Sequence, residues 1–349
     1  MKVGIVGPAG SGKTTIFNAL TGLRADTGPG GASRAHMGTI KVPDARIDRL
    51  AEMHRSRRKV YAEIVFTDVA ARGGGGPGGG LDPQTVAAMR DCDALVVVLR
   101  AFAHPVLPEP PDPLRERRAF FTELVLSDLL PLENRLGRIA KDAGRRAEAA
   151  LLERCIAHLE NERPIASLAL TPEEQAQLAG FGLLSAKPLL YLLNQDEADF
   201  PAGIPAPVQE AAAAEGFDLL AISGKIEMDI AELEPEEQTE FLQALGTESS
   251  ARDRFVRHAY AMLNLISFLT TGEDESRAWP IRKGTTAQQA AGKIHSDIER
   301  GFIRAEVCPY TELVALGGEK QARDAGKLRL EGKTYVVADG DVINFRFNV

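Results

Sequence analysis

The sequence predicts an α/β protein: a mostly parallel sheet with helices on both faces, a helical hairpin set into it, and a small mixed domain at the C-terminal end. Three observations predict it. Short, nearly continuous apolar strands alternate with helical stretches, the pattern of a sheet buried on both sides. A glycine-rich stretch, Gly7-Pro8-Ala9-Gly10-Ser11-Gly12-Lys13-Thr14, sits between the first strand and the first helix. From about Arg277 the pattern changes to short strand-like pieces around a single helix.

Taken in order, residues 3–6 read as a buried strand and residues 15–20 as the helix after the glycine loop. Further apolar strands are expected at 63–68, 94–99, 188–194 and 219–223. A hairpin of two helices interrupts them. Leu124, Leu129, Leu132, Leu136 and Ile139 fall at helical spacing, as do Leu152, Cys155, Ile156 and Leu159. A polar turn at 141–146 lies between the two runs, and Pro131 should kink the first helix. The exposed end of the hairpin carries Arg135, Arg138, Lys141, Arg145 and Arg146, a solvated face or a docking one. A connecting helix is expected from 252 to about 269. The last region, of about 70 residues, reads as strands at 278–281, 303–307, 335–337 and 342–347 with one helix at 286–300.

Composition bounds the function. The chain has 349 residues, 44% hydrophobic and 26% charged, which is ordinary for a water-soluble protein large enough for two or three domains. It lacks a run of about 18 apolar residues, so no membrane span is expected, and no secretory leader is read at its start. Cys92, Cys155 and Cys308 are too few and too scattered for a disulfide framework or a zinc site, and free thiols in a reducing cytoplasm are expected. A net charge of −8 speaks against a globally basic nucleic-acid binder while leaving a local basic face open.

The glycine stretch fits G-x-x-x-x-G-K-[ST] in its strand–loop–helix context, and so predicts a phosphate-binding loop. Its N–H groups and the positive end of the following helix face the anion. Gly10, Ser11, Gly12, Lys13, Thr14 and Thr15 are the candidate phosphate contacts; Lys13 is the catalytic candidate, reaching the β- and γ-phosphates. The Thr14 hydroxyl is a candidate Mg²⁺ ligand, and Asp68, at a strand end, a second one. Asn194-Gln195-Asp196-Glu197 stands where guanine-binding proteins carry N-K-x-D. Glu197 is one methylene longer than the aspartate that takes two guanine donors, and Gln195 lacks the long lysine stem. ATP is therefore favoured over GTP. Asn194 is expected to brace the phosphate loop rather than read the base, and Ser223-Gly224-Lys225 resembles the S-A-K loop of a base pocket. The histidines form no ligand cluster.

These motifs together resemble the YchF/Obg-like ATPase family nearly end to end. The resemblance rests on the phosphate loop, on residues 42–50 (Val-Pro-Asp-Ala-Arg-Ile-Asp-Arg-Leu), on 122–129, on Asn194 to Glu197, and on 287–297, 299–306 and 339–349. It implies three parts: a P-loop G domain at 1–118 and 186–265, an inserted helical hairpin at 119–185, and a ubiquitin-like β-grasp TGS domain at 276–349. It also implies slow hydrolysis of ATP with Mg²⁺, GTP disfavoured, and association with ribosomes, through the TGS domain and the hairpin, in translation or stress control. The family lacks the catalytic glutamine of the second switch. The chain departs from the family in both switches. Ala71 and Arg72 follow Asp68-Val69-Ala70 where the family reads D-x-A-G-L. In the first switch Met37 precedes Gly38, and Thr39 comes two positions after Met37, which leaves the switch-side Mg²⁺ contact open. Two other readings stay open: a GTPase with Glu197 repositioned, and a ribosome- or RNA-binding scaffold with vestigial hydrolysis, whose basic contacts could include Arg277, Lys283 and Lys293.

Overall fold

The computed structural model describes residues 1–25, 36–69, 81–244, 247 and 249–348. Two compact units emerge: Met1–Thr39 with Val65–Phe255, and Ile40–Ile64 with Val256–Val349. The strands in chain order are β1 (Lys2–Val6), β2 (His36–Lys41), β3 (Arg58–Val60), β4 (Glu63–Asp68), β5 (Ala94–Ala101) and β6 (Leu189–Gln195). They continue as β7 (Asp218–Ile222), β8 (Leu265–Thr270), β9 (Glu275–Arg282), β10 (Phe302–Pro309), β11 (Arg329–Glu331) and β12 (Asp341–Phe347).

In the first unit the strands run in the order β4-β1-β5-β6-β7, all parallel, with β2 beyond β4 at the edge. The α/β expectation is met here. β5 shows why: it pairs with β1 on one side and β6 on the other, and Ala94 to Leu99 are fully buried. Such a strand can carry apolar side chains on both faces. Val6, Val97, Leu99, Phe120, Leu124 and Leu193 belong to one core cluster. Parallel pairing puts the carboxyl ends of β1, β4, β6 and β7 on one edge, and Asp68, Asn194 and Ser223 stand there with the glycine loop.

The hairpin consists of helix Pro113–Ile139 and helix Arg146–Glu160, with a short turn Ala143–Arg145 between them. Asp112 caps the first helix by accepting from the Arg115 N–H at 3.0 Å, and Pro113 takes the first helical position, where a missing N–H costs nothing. The helix continues through Pro131 to Ile139. Val125, Leu132, Leu152, Cys155 and Leu159 form the hairpin's own core. Asp128, fully buried, joins it to the chain entering β6: it accepts the N–H groups of Leu184 and Ser185, each at 2.8 Å, and the Ser185 hydroxyl at 2.7 Å.

In the second unit the order is β11-β10-β12-β8-β9-β3. β8 and β12 run parallel at the centre with antiparallel partners outside them, and helix Ala287–Ile294 supplies Ala287, Ala290 and Ala291 to the same cluster as Phe268, Ile281, Val307 and Phe345. This is a β-grasp arrangement. Residues 40–64 are part of it: they contribute helix Ala45–His54 and β3, which pairs parallel with β9. Asp44 caps that helix and chelates Arg46, whose other guanidinium nitrogen reaches Asp339 at 2.8 Å. Asp339 in turn accepts the Ser267 N–H at 2.8 Å. Two of the segments that carried the family resemblance, 42–50 and 339–349, meet in this one ion pair.

Four sequence expectations change, the first being that the last region holds two helices beyond the one expected, Tyr310–Leu316 and Glu319–Asp324. The connector at 252–269 is a helix, Ala251–Met262, followed by strand β8. Asn264 takes a left-handed conformation, φ 54°, and ends the helical path; the apolar residues beyond it pair with β9 and β12. The helix at 286–300 is two, Ala287–Ile294 and Ser296–Arg300, because His295 is extended and caps the second by accepting the Asp297 N–H. Residues 335–337 form no strand; Val336 makes a lone bridge to Thr286.

Replacing Asp128 by alanine leaves three donors without an acceptor in a dry interior. The loss should be about 3 kcal/mol, seen as a lower denaturation midpoint at unchanged urea slope; a loss within 0.5 kcal/mol, about what a plain surface change costs, would show the joint to be dispensable.

Candidate nucleotide-binding site

The site is built by the turn between β1 and helix Lys13–Thr21. Gly12 takes φ 87° to start that helix, and a β-carbon there would overlap the side-chain nitrogen of Asn194. Gly10 takes φ 75°, and a β-carbon there would lie 2.7 Å from Leu107 Cδ1. At Gly12 the backbone lies against a buried, hydrogen-bonded amide with no room for a side chain, at Gly10 against the end of the Leu107 side chain, and both residues use conformations glycine reaches freely. The helix begins with its unpaired N–H groups turned to the loop, the arrangement that attracts an anion.

Lys13 is buried. Its ammonium donates to the Pro8 carbonyl of its own loop at 2.7 Å. Burial lowers its pKa from 10.5 to about 8, although Asp68 and Glu116 both pull it upward. Thr14 donates its hydroxyl to Asp68 Oδ2 at 2.9 Å. The other oxygen, Oδ1, is buried with no partner among the described residues, and burial raises the Asp68 pKa against the pull of Thr14 and Lys13. A hydroxyl and a half-satisfied buried carboxylate at the foot of an anion cradle fit a hard dication that takes its remaining oxygens from phosphate and water. Among the described residues no group of three or more His, Cys, Asp or Glu could hold a metal ion by itself.

Asn194 joins three strand ends. Its Nδ2 donates to the Ser11 carbonyl at 3.0 Å, and its Oδ1 accepts from the Gly224 N–H at 3.1 Å; all of it is buried. The hydroxyls of Ser11 and Ser223 are buried and find no partner among the described residues. Thr15 is half-buried on the first turn of its helix, and that helix packs on helix Gly224–Glu232. Gln195 is turned inward: it is buried, and Nε2 donates to the Gly203 carbonyl at 2.8 Å, so its stem is not presented as a stacking surface. Glu197 is partly exposed, and its Oε2 accepts from the ammonium of Lys225. Thr39 is exposed on β2, as is Met37 before it, and among the described contacts nothing joins Thr39 to Asp68. Ala71, Arg72 and the glycine-rich stretches 26–34 and 73–80 lie outside the described residues.

Sequence reasoning missed the segment after β5. Phe102, His104 and Leu107 lie against Gly12 and Gly10. Arg100, buried at the end of β5, fixes the segment: its guanidinium donates to the carbonyls of Phe102 at 3.3 Å and Glu109 at 3.2 Å, while Glu116 accepts its backbone N–H at 2.9 Å and pairs with its Nε at 3.4 Å. The signal was present as the one charge in an otherwise apolar strand.

Comparisons with known proteins agree with this geometry. Residues 265–348 match the family described as YchF-GTPase_C, protein of unknown function (DUF933). The chain is 39% identical to the ribosome-binding ATPase YchF of Bacillus subtilis, over all of both chains. The chain belongs to the YchF family. It is also 35% identical to Obg-like ATPase 1 of rice, over all of this chain and 92% of that one. The solved YchF GTPase of Schizosaccharomyces pombe superposes with a TM-score of 0.89 at 31% identity, covering 99% of this chain and 97% of its own. The fold is thus the YchF fold, with a P-loop G domain and the YchF C-terminal domain. The relatives' names divide between ATPase and GTPase.

Lys13 gives a test with a definite sign. A bound triphosphate favours the ammonium and so raises the pKa again. Above pH 8 nucleotide binding should therefore take up a proton, and affinity should fall as pH climbs past about 8. Calorimetry in buffers of different ionisation enthalpy reads the proton directly; no uptake at pH 9 would contradict the burial of Lys13.

Proposed function

We propose that this YchF-family P-loop protein binds ATP with Mg²⁺ in preference to GTP, hydrolyses it slowly, and uses the nucleotide state to control its association with ribosomes in the cytoplasm. The observation that carries the reading is the cradle itself: the loop N–H groups of Gly10 to Thr15, the buried Lys13, and the Thr14–Asp68 pair at one sheet edge. The names of the relatives support ATP and the ribosome as ligand and partner.

Within this reading Gly10, Ser11, Gly12, Lys13, Thr14 and Thr15 hold the phosphates, and Asn194, Gln195, Glu197, Ser223 and Gly224 surround the base. Thr14 and Asp68 would hold Mg²⁺, which when bound neutralises charge building on the β- and γ-phosphates. Thr39 is left as a possible further ligand only on rearrangement of β2. Lys13 gives up its bond to Pro8 and turns to the transferred group, stabilising its charge as water attacks. Asn194 keeps the loop from spreading. Neither the family's second switch nor Ala71 and Arg72 of this sequence supplies a glutamine to orient the water, so turnover is slow.

The preference for ATP rests on Glu197 and Gln195. Guanine needs both oxygens of a well-placed carboxylate; here the carboxylate is longer and already engaged, and the neighbouring side chain is buried. The three parts are the division read from the sequence (1–118 with 186–265, 119–185 and 276–349), except that residues 40–64 and 256–275 go with the β-grasp unit; within this division the ribosome falls to the hairpin and the β-grasp unit. At the hairpin end Arg135 and Arg145 pair with Glu148, while Arg138, Lys141 and Arg146 are exposed. Contacts of that kind to rRNA weaken as salt rises.

Calorimetry with ATP and GTP in the presence of Mg²⁺ should give the lower Kd for ATP; tighter GTP binding would overturn the base assignment. Lys13→Ala should cut hydrolysis at least about a hundredfold, and unchanged turnover would place the reaction elsewhere. Co-sedimentation with ribosomes should change between the ATP and nucleotide-free forms; sedimentation blind to nucleotide would favour the scaffold reading.

A further inference from the structure

The contact between Lys225 and Glu197 says more than that Glu197 is long. Lys225 lies in the first turn of helix Gly224–Glu232, directly after the residue whose N–H is held by Asn194. Its ammonium donates to Oε2 of Glu197, and among the described contacts nothing takes Oε1. Asp196 and Asp229 also lie close enough to favour the ammonium. The stretch that contributes the base pocket wall thus brings its own cation to the carboxylate.

Guanine offers two donors side by side, N1–H and the 2-amino group, and a carboxylate reads them as a fork only with both oxygens turned to the base edge. Adenine offers one amino group on the corresponding edge and no N1–H. A carboxylate drawn to an ammonium by one oxygen still accepts one donor with the other, but is held away from the two-oxygen orientation that the fork needs. The geometry points to Lys225 as a specificity-determining residue that acts through Glu197, setting the base choice against guanine nucleotides. This inference rests on the base-site reading above, and it locates the discrimination in a pair of side chains rather than in the length of one. Gln195 supports it from the other side, since its amide is bonded inward to Gly203 and leaves the pair without a stacking neighbour.

Lys225 is 71% exposed in its side chain, so substitution there does not threaten the fold. The experiment is titration of the full chain with ATP and with GTP, both with Mg²⁺, followed by calorimetry or a fluorescent analogue. For Lys225→Met the ratio Kd(GTP)/Kd(ATP) should fall about tenfold, the worth of one charge-assisted hydrogen bond regained. Lys225→Arg, which keeps the cation, should stay within about threefold of the parent ratio. In a Glu197→Ala background Lys225→Met should no longer move the ratio, because the double-mutant cycle removes the partner. A ratio unmoved by Lys225→Met, an equal fall for Arg and Met, or an equal fall in the Glu197→Ala background would each overturn the inference. The ATP-over-GTP reading is tested separately by the parent ratio: a parent that prefers GTP refutes that reading even if Lys225→Met lowers the ratio further, and a parent that prefers ATP with an inert Lys225→Met refutes only the inference.

Discussion

The site depends on a steric constraint, the absence of β-carbons at Gly10 and Gly12. Each presses against a neighbour that a methyl group would displace, Leu107 in one case and Asn194 in the other. Asn194 is the more consequential, because its single amide also holds Ser11 and Gly224. The ends of β1, β6 and β7 are thereby set by one side chain in the interior, where hydrogen bonds are strong and unmade ones expensive. A push at Gly12 would be felt at the phosphate loop and at the base loop together. The direction of Lys13, which begins its helix at the next residue, follows from the same bend.

The cradle also keeps charge in an interior that disfavours it. Lys13, Asp68 and Glu116 are all largely buried, and burial moves each pKa toward the neutral form while their neighbours pull back. Arg100 shares Glu116 and three carbonyls of the segment lying on the loop. Several buried polar atoms here, Asp68 Oδ1 and the hydroxyls of Ser11 and Ser223 among them, have no partner among the described residues. Unsatisfied groups of that kind are rare in interiors and collect where a ligand completes the set.

Much of this was legible in the residues. The central strands could be read because burial on both faces demands unbroken apolar runs, and the phosphate loop because its glycines, lysine and threonine come at a fixed spacing between a strand and a helix. What escaped was set by contacts far apart in sequence. The apolar run after Met262 fits a helix as well as a strand, and only the left-handed turn at Asn264 and pairing with β9 and β12 decide between them. β3 is too short and too polar to announce itself; it becomes a strand because β9 lies beside it. The segment after β5 carries no motif, yet it lies on Gly10. The sequence placed Lys225 in a loop resembling that of a base pocket, but not its pairing with Glu197, which only the fold brings together.

The assignment of residues 40–64 to the second unit has a consequence for how the protein can be cut or recombined. Its two units are not beads on a string: the backbone leaves the first after Thr39, folds a helix and a strand into the second, returns at Val65, and departs again after Phe255. A truncation before β8 would strip helix Ala45–His54 of Asp339 and β3 of its sheet neighbour β9. The β-grasp unit is therefore no detachable module; transplanting or deleting it intact requires editing the gene in two places.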